Sequence, residues 1–425
     1  MKKQAFLIFL TLLSLAFSHQ SSLAQGESTT AITARDIRER LSVLASDSLE
    51  GRRSGSPGAE KAARYISQEF RRIGLTPIDS EKSFLQHFTF KEHLDSVHSE
   101  LISTANVIGL LKSNDPHYRG EYIIVGAHYD HLGYGGKYAL DTVHAIHYGA
   151  DDNASGATGV LELAEYFAAH RSLLKRSIVF MSFSGEEEGL CGSSYYVNHP
   201  LVPLANTVAM INMDMIGRLA ADSTLIVEGV GTSPIWTPLV KRLDSPKQFN
   251  LKLKQTGMGP SDHESFYLKN LPVLFFFTGF HTDYHRSTDT RDKINAEGEV
   301  KVLDFVRSIL YVLAESPDTI PFSHPAEDTT QKASSFHVYV GGVPDYGYDG
   351  DGVRISAIME HSPAEKAGFK AMDVIVDFGG KKIRNIYDYT DALSKYKPGD
   401  VVNVLLDRGT IQVTLPVTLG SRAAH

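Results

Sequence analysis

His128, Asp151, Glu187, Asp214 and His285 are the residues of this chain whose types and surroundings could do chemistry, with a further carboxylate, Glu186, beside one of them. They lie in GAHYDHLG (126–133), GADDNASG (149–156), FSGEEEGL (183–190), INMDMIGR (211–218) and DYHRSTDT (283–290), at or just past the ends of runs that read as hydrophobic strands. Imidazoles and carboxylates are ligands for borderline divalent cations. Delivered together to the carboxyl edge of an α/β sheet, where ligand sites open, they point to a paired-metal hydrolase.

Each segment suggests a role. His128 follows the strand-like run 122–127, and Asp130 is placed to accept its second ring N–H, as carboxylates beside metal-binding histidines do. Asp151 and Asp152 precede Asn153, Ser155 and a helix; Asp151 is read as the bridge between two cations, which need a shared anion to offset their repulsion. Asp152 and Asn153 are read as caps of the following helix. Three adjacent acids, Glu186 to Glu188, are costly at a strand end unless cations neutralise them; alternation would send Glu187 to a metal and Glu186 to a water as its base. Asp214 stands in the apolar stretch 208–216, where a carboxylate needs a partner to stay ionised. His285 follows the run 273–277, with Asp289 four residues on as its acceptor. Taken singly, these segments read as a solvated strand-end histidine, a cap, an acidic surface run and a polar loop. The combination carries the metal reading.

The positioning elements are legible as alternating runs. Helices are predicted over 32–45 and 57–73, and apolar strands at 105–111, 122–127, 177–183, 208–213, 224–228 and 272–277. Val160, Leu163, Ala164 and Phe167 form one helical stripe, and Leu303, Val306, Leu310 and Leu313 another. Strands apolar on both faces and alternating with helices predict an α/β three-layer sandwich, a mostly parallel mixed sheet covered by helices on both faces. After Glu315 the sequence SPDTIPFSHPAEDTTQKASS loses periodicity and reads as a linker. Beyond it, short strand-like runs near 338–340, 353–358, 374–378 and 401–406 predict a small β-rich domain. The expected division is a leader at 1–24, a catalytic domain at 25–316, a linker at 317–335 and a second domain at 336–420.

With 425 residues, 42% of them hydrophobic and 22% charged, the composition is that of a globular chain of two or three domains. Lys2 and Lys3, an apolar run from Ala5 to Phe17, and Ser22-Leu23-Ala24 read as a secretory signal peptide cut after Ala24, placing the protein in the periplasm or outside the cell. The run is too short to cross a membrane, and no later segment is apolar enough to span. The formal charge of −8 becomes −10 without the two leader lysines, and the acids are scattered, which argues against a nucleic-acid partner. Cys191, alone, cannot form an internal disulfide and reads as a small buried residue.

In this order and spacing the five segments resemble the zinc aminopeptidase family that includes bacterial leucyl aminopeptidases and, more distantly, glutamate carboxypeptidases and glutaminyl cyclases. The similarity runs over roughly residues 30–316, and Glu50-Gly51-Arg52-Arg53-Ser54-Gly55 and Ser261-Asp262-His263 with Phe266 share in it. The resemblance implies two zinc ions bridged by Asp151, one completed by His128 and Asp214 and the other by Glu187 and His285, with Glu186 as general base acting on peptides. A one-zinc glutaminyl cyclase and a carboxypeptidase are the alternatives within that superfamily. Outside it stands a secreted peptide-binding protein with an inactive larger domain. Residues 336–420 resemble a PDZ domain of the bacterial protease-associated type, through Gly352–Ile355, Ser362–Gly368, Asp373–Val376 and Lys397–Asp400. Such a domain implies a peptide or protein ligand taken as an added strand, with Gly341–Tyr346 as the carboxylate-binding loop. Phe266, Tyr267 and Phe280 are candidates for lining the substrate pocket.

Overall fold

The computed structural model describes residues 31–78, 82–93, 99–136, 138–325, 338–344, 350–359, 361–384 and 386–421. The signal peptide expected at 1–24 and residues 326–335 of the expected linker lie outside them. Among the described residues no helix is long and apolar enough to cross a membrane.

Eight strands build the larger sheet: β1 (Leu85–His93), β2 (Ser99–Leu111), β3 (Tyr122–His128), β4 (Ser177–Phe183), β5 (Thr207–Met213), β6 (Thr224–Glu228), β7 (Asn250–Leu253) and β8 (Val273–Phe277), in the order β1-β2-β4-β3-β5-β8-β6-β7. The four central strands β4, β3, β5 and β8 are parallel. They also stop together, with His128 opposite Phe183 and Met213 opposite Phe276, so one edge of the sheet gathers all four carboxyl ends. Strand β2 joins this block antiparallel through β4, and β6 through β8. The six predicted apolar strands are all present.

Alternation along β3 shows why both faces must be covered. Ile123, Val125 and Ala127 enter one apolar cluster and Ile124 the other. The first cluster is closed by α1 (Ala34–Leu44), α2 (Pro57–Ile73), α3 (Gly156–Ala169), α5 (Trp236–Leu243) and α7 (Ala296–Glu315); the second by α4 (Cys191–Asn198) and α6 (His263–Tyr267). The predicted stripes on α3 and α7 are buried in the first cluster. Local signals fix the long helices: Ser56 accepts from Ala59 N, Pro57 opens α2, and Gly74 closes it at φ 88°.

Residues 318–325, expected as linker, instead strap the larger domain. Ile320 joins its core, Phe322 packs on Tyr267, the Ser323 N–H donates to Thr232 O at 2.8 Å, and Arg176 Nη2 reaches Asp318 O at 2.8 Å. The C-terminal region has its own core around Ile355, Ile375, Phe378, Val404 and Leu406. Its strands are β9 (Val338–Tyr339), β10 (Gly342–Pro344), β11 (Val353–Ile358), β12 (Val374–Phe378), β13 (Lys381–Lys382), β14 (Val401–Arg408), β15 (Ile411–Thr418) and β16 (Gly420–Ser421), with helices α8 (Pro363–Ala367) and α9 (Ile386–Leu393). The sheet order β10-β11-β12-β14-β15 leaves β10 as an edge strand. In the expected carboxylate-binding loop, Asp345 and Tyr346 lie outside the described residues.

Candidate metal centre and active site

The gathered carboxyl ends position the chemistry. His128 ends β3, Glu186 and Glu187 follow β4 by a turn, Asp214 follows β5, and His285 lies in the loop after β8. Nε2 of His128 stands 3.4 Å from Asp214 Oδ2, and Nε2 of His285 stands 3.1 Å from Glu187 Oε2. Between these pairs lies Asp152, not Asp151. Its Oδ1 is 3.5 Å from His128 Nε2 and its Oδ2 is 3.1 Å from His285 Nε2, one oxygen for each half. Ligand atoms about 2.0–2.1 Å from a tetrahedral ion are roughly 3.3 Å apart, which is the spacing found here. Among the described residues, two groups could each hold a cation: His128 with Glu186 and Asp214, and His128 with Asp152 and Glu187. Nε2 of His128 and Oδ1 of Asp214 are buried without a hydrogen-bond partner, and a divalent cation is the partner that this donor set fits.

Asp151 corrects the bridging expectation. Its Oδ1 accepts from the Gly217 N–H at 2.7 Å and its Oδ2 is 3.2 Å from His281 Nε2, so its carboxylate braces the loop after Asp214 from behind. Asp152 is not a cap either: its carboxylate faces the two histidines, while Asn153 Oδ1 accepts the Gly156 N–H at 2.8 Å. Asp289 was expected on His285. Its Oδ2 instead accepts the N–H groups of Asp151 and Asp152, at 2.9 and 3.2 Å, fixing the turn that presents Asp152. Nδ1 of His285 faces Tyr138 O at 2.8 Å. Asp130 supports His128 mainly through its backbone, with its carbonyl 3.2 Å from His128 Nδ1 and its carboxylate Oδ1 at 3.6 Å. That carboxylate accepts from Ser54 Oγ at 3.0 Å and from Glu186 N at 3.3 Å, so it orients the turn that carries Glu186 as well.

Further side chains support the site, and one of them, His131, escaped the sequence reading. His131, fully buried, places Nδ1 2.8 Å from Glu187 Oε1; its only signal was a second histidine in HYDH. Ser261 donates to Asp214 Oδ2 at 2.9 Å. Phe266 and Tyr267 are core on α6, whereas Phe280 packs on Tyr284, whose ring stacks on His285 at 3.9 Å. His285 and Met215 hold φ of 52° and 51°, a left-handed strain that non-glycine residues tolerate chiefly at functional sites.

Arg52 ties together the loops beside the candidate ligands. Its buried guanidinium donates to the carbonyls of Leu44, Tyr129, Tyr148 and Gly149 at 2.6–2.9 Å. Burial lowers its pKa to about 10, against Asp130 and Asp152, which favour the cation. Arg52→Ala leaves four carbonyls without their donor, and we expect a loss on the order of 4 kcal/mol, read as a lower denaturant midpoint; an unchanged midpoint would show that the loops hold without it.

The electrostatics are those of crowded acids. Burial pushes Glu186 well above the carboxylate range, with Glu187 and Asp214 adding to it and His128 opposing. Burial would also raise Glu187, but His285 and His131 hold it well below. His128, which burial alone would depress, is raised well above the histidine range by Asp214 and Glu186. Asp262 is pushed to about 7 by burial despite His128. These acids share one small volume, and divalent charge is what would let them ionise together.

The aminopeptidase YwaD of Bacillus subtilis (strain 168) is 27% identical over 217 residues, 49% of this chain and 44% of that protein. The chain spans less than half the length of the first curated relatives it matches. The aminopeptidase from Aneurinibacillus sp. strain AM-1 has a similar fold, with a TM-score of 0.53, 19% identity, and coverage of 70% of this chain and 98% of that one. So does the glutaminyl cyclase of Bacteroides thetaiotaomicron bound to N-acetylhistamine, with a TM-score of 0.54, 18% identity, and coverage of 66% and 98%. The chain thus joins a domain of peptidase family M28, matched over residues 106–310, to a PDZ domain, matched over residues 329–419.

Proposed function

We propose that this protein is an exported aminopeptidase working with two zinc ions per chain. The observation that carries the reading is Asp152, whose two oxygens face His128 and Asp214 on one side and His285 and Glu187 on the other. His128 and Asp214 would hold one ion, Glu187 and His285 the other, and Asp152 both. Bound zinc supplies Lewis acidity, polarising a carbonyl and lowering the pKa of water.

The chain's own residues do the rest. Glu186 takes a proton from the attacking water as its oxygen bonds to the scissile carbonyl carbon, then returns that proton to the leaving nitrogen as the C–N bond breaks. Asp130, holding Glu186 N and the His128 ring, keeps base and ligand in register. His131, against Glu187, fixes that carboxylate's orientation. The PDZ domain would dock a peptide as a strand along β10.

Metal analysis with matched dipeptides tests this reading. We expect two zinc ions per chain and cleavage of dipeptide amides with a free N-terminus but not of their N-acetyl counterparts. Cleavage of amino-blocked but not carboxy-blocked dipeptides would make it a carboxypeptidase. One zinc with pyroglutamate release from N-terminal glutamine would make it a cyclase.

A further inference from the structure

Beside the metal centre lies a cavity of about 430 Å³, walled by Glu50, Arg53, Glu92, Tyr134, Tyr138 and Glu188. Its walls are built from the segments that carry the candidate ligands. Glu188 follows Glu187, Leu132 and Gly133 at its wall follow His131, and the Tyr138 carbonyl faces Nδ1 of His285. The walls are held in place: Gly133 N donates to Gly51 O at 3.0 Å and His131 N to Arg52 O at 3.3 Å. A Cβ on Gly51 would come within 2.5 Å of the carbonyls of His147 and Gly133, so the two loops meet in a way only glycine permits there.

The polar lining has a sign. Among the described residues, three carboxyl groups and one guanidinium line it, and Arg53 is already committed to Glu92 through Nη2–Oε2 at 2.6 Å. That leaves Glu50 and one oxygen of Glu188 for a ligand: the Glu188 carboxyl is hydrogen-bonded by Ser54, but its Oε2 is buried with no hydrogen-bond partner. A neutral occupant would desolvate these acids and return little, and an anionic one would be repelled. A guanidinium or ammonium supplies the donors, and the rings of Tyr134 and Tyr138 suit a cation on a long apolar stem.

We propose that this cavity is the subsite for a basic side chain, lysine or arginine, of a substrate residue flanking the scissile bond, an assignment that rests on the aminopeptidase reading. The cationic head sits between Glu50 and Glu188 and the stem along the tyrosines. Selectivity comes from this charge pair rather than from apolar fit.

Arginine and its neutral isostere citrulline separate charge from shape. The zinc-loaded full chain is assayed with Arg-Ala amide against citrullinyl-Ala amide, and with Ala-Arg amide against Ala-citrulline amide. At one of the two positions kcat/KM for the arginine peptide should exceed that for its isostere by about tenfold or more, mostly through KM; the position that responds shows which flank the cavity serves. The ratio should fall toward one in Glu50→Gln and below one in Glu50→Lys. In the wild type it should also shrink as ionic strength rises, a measurement that needs no variant to fold. Equal rates within both pairs, or a preference that neither salt nor Glu50 substitution moves, overturns the subsite and leaves the aminopeptidase reading standing. No cleavage of any of the four peptides overturns both.

Discussion

Glu186→Gln is expected to lower kcat by about 10²- to 10⁴-fold, the range for loss of a positioned general base, with zinc content unchanged. Glutamine keeps the shape of the side chain beside His128 and Asp214 but cannot take a proton from water. The backbone N–H of residue 186 stays available to Asp130 Oδ1, so the turn should hold its place. KM should move little, because the lost interaction belongs to the transition state. The pairing of measurements is what discriminates: a variant with both ions and near-wild-type turnover would remove Glu186 from the chemistry, and one that loses an ion would make it a ligand instead.

The second large effect separates two neighbouring aspartates. Asp152→Ala should drop zinc below one equivalent per chain after dialysis and abolish measurable turnover, since both halves of the centre lose a shared anion. Asp151→Asn should keep both ions and most of its activity while lowering thermal stability, because Oδ1 can still accept from Gly217 N, whereas the contact with His281 is weakened. Inductively coupled plasma analysis of the two proteins side by side reads the difference. Were Asp151→Asn the variant stripped of metal and Asp152→Ala the one that stayed loaded, the bridge would have been assigned to the wrong carboxylate.

That pair also shows what a linear reading can and cannot see. The central strands were legible because residues such as Ile123, Ile124 and Val125 are apolar on both faces, a pattern only a doubly covered sheet produces. Strand β1, with Gln86, His87, Lys91 and Glu92 among its residues, and the four-residue β7 lie at the sheet margins and lack that signature. Within Asp151-Asp152 no period tells which carboxylate faces the candidate metal site, because the helical turn over Ala150–Ser155 breaks at the second of them; Asp152 has φ −104° and ψ 95°. Asp289 was assigned to His285 from nearness in sequence, yet the chain turns there and spends its carboxylate on backbone amides 137 and 138 residues away. Residues 318–325 have the composition of a tether, and only Ile320 and Phe322 hinted that they would be bound down.

Because neighbouring strands at the middle of the sheet come from distant stretches of chain, no segment shorter than residues 128–285 holds the full set of reacting groups. Closing such long-range parallel pairings is intrinsically slow. The polypeptide therefore has a built-in latency: until β3, β4, β5 and β8 align, its acids and imidazoles are separated along the backbone and cannot act together. On the proposed function, hydrolytic capacity would arrive only once those strands have aligned.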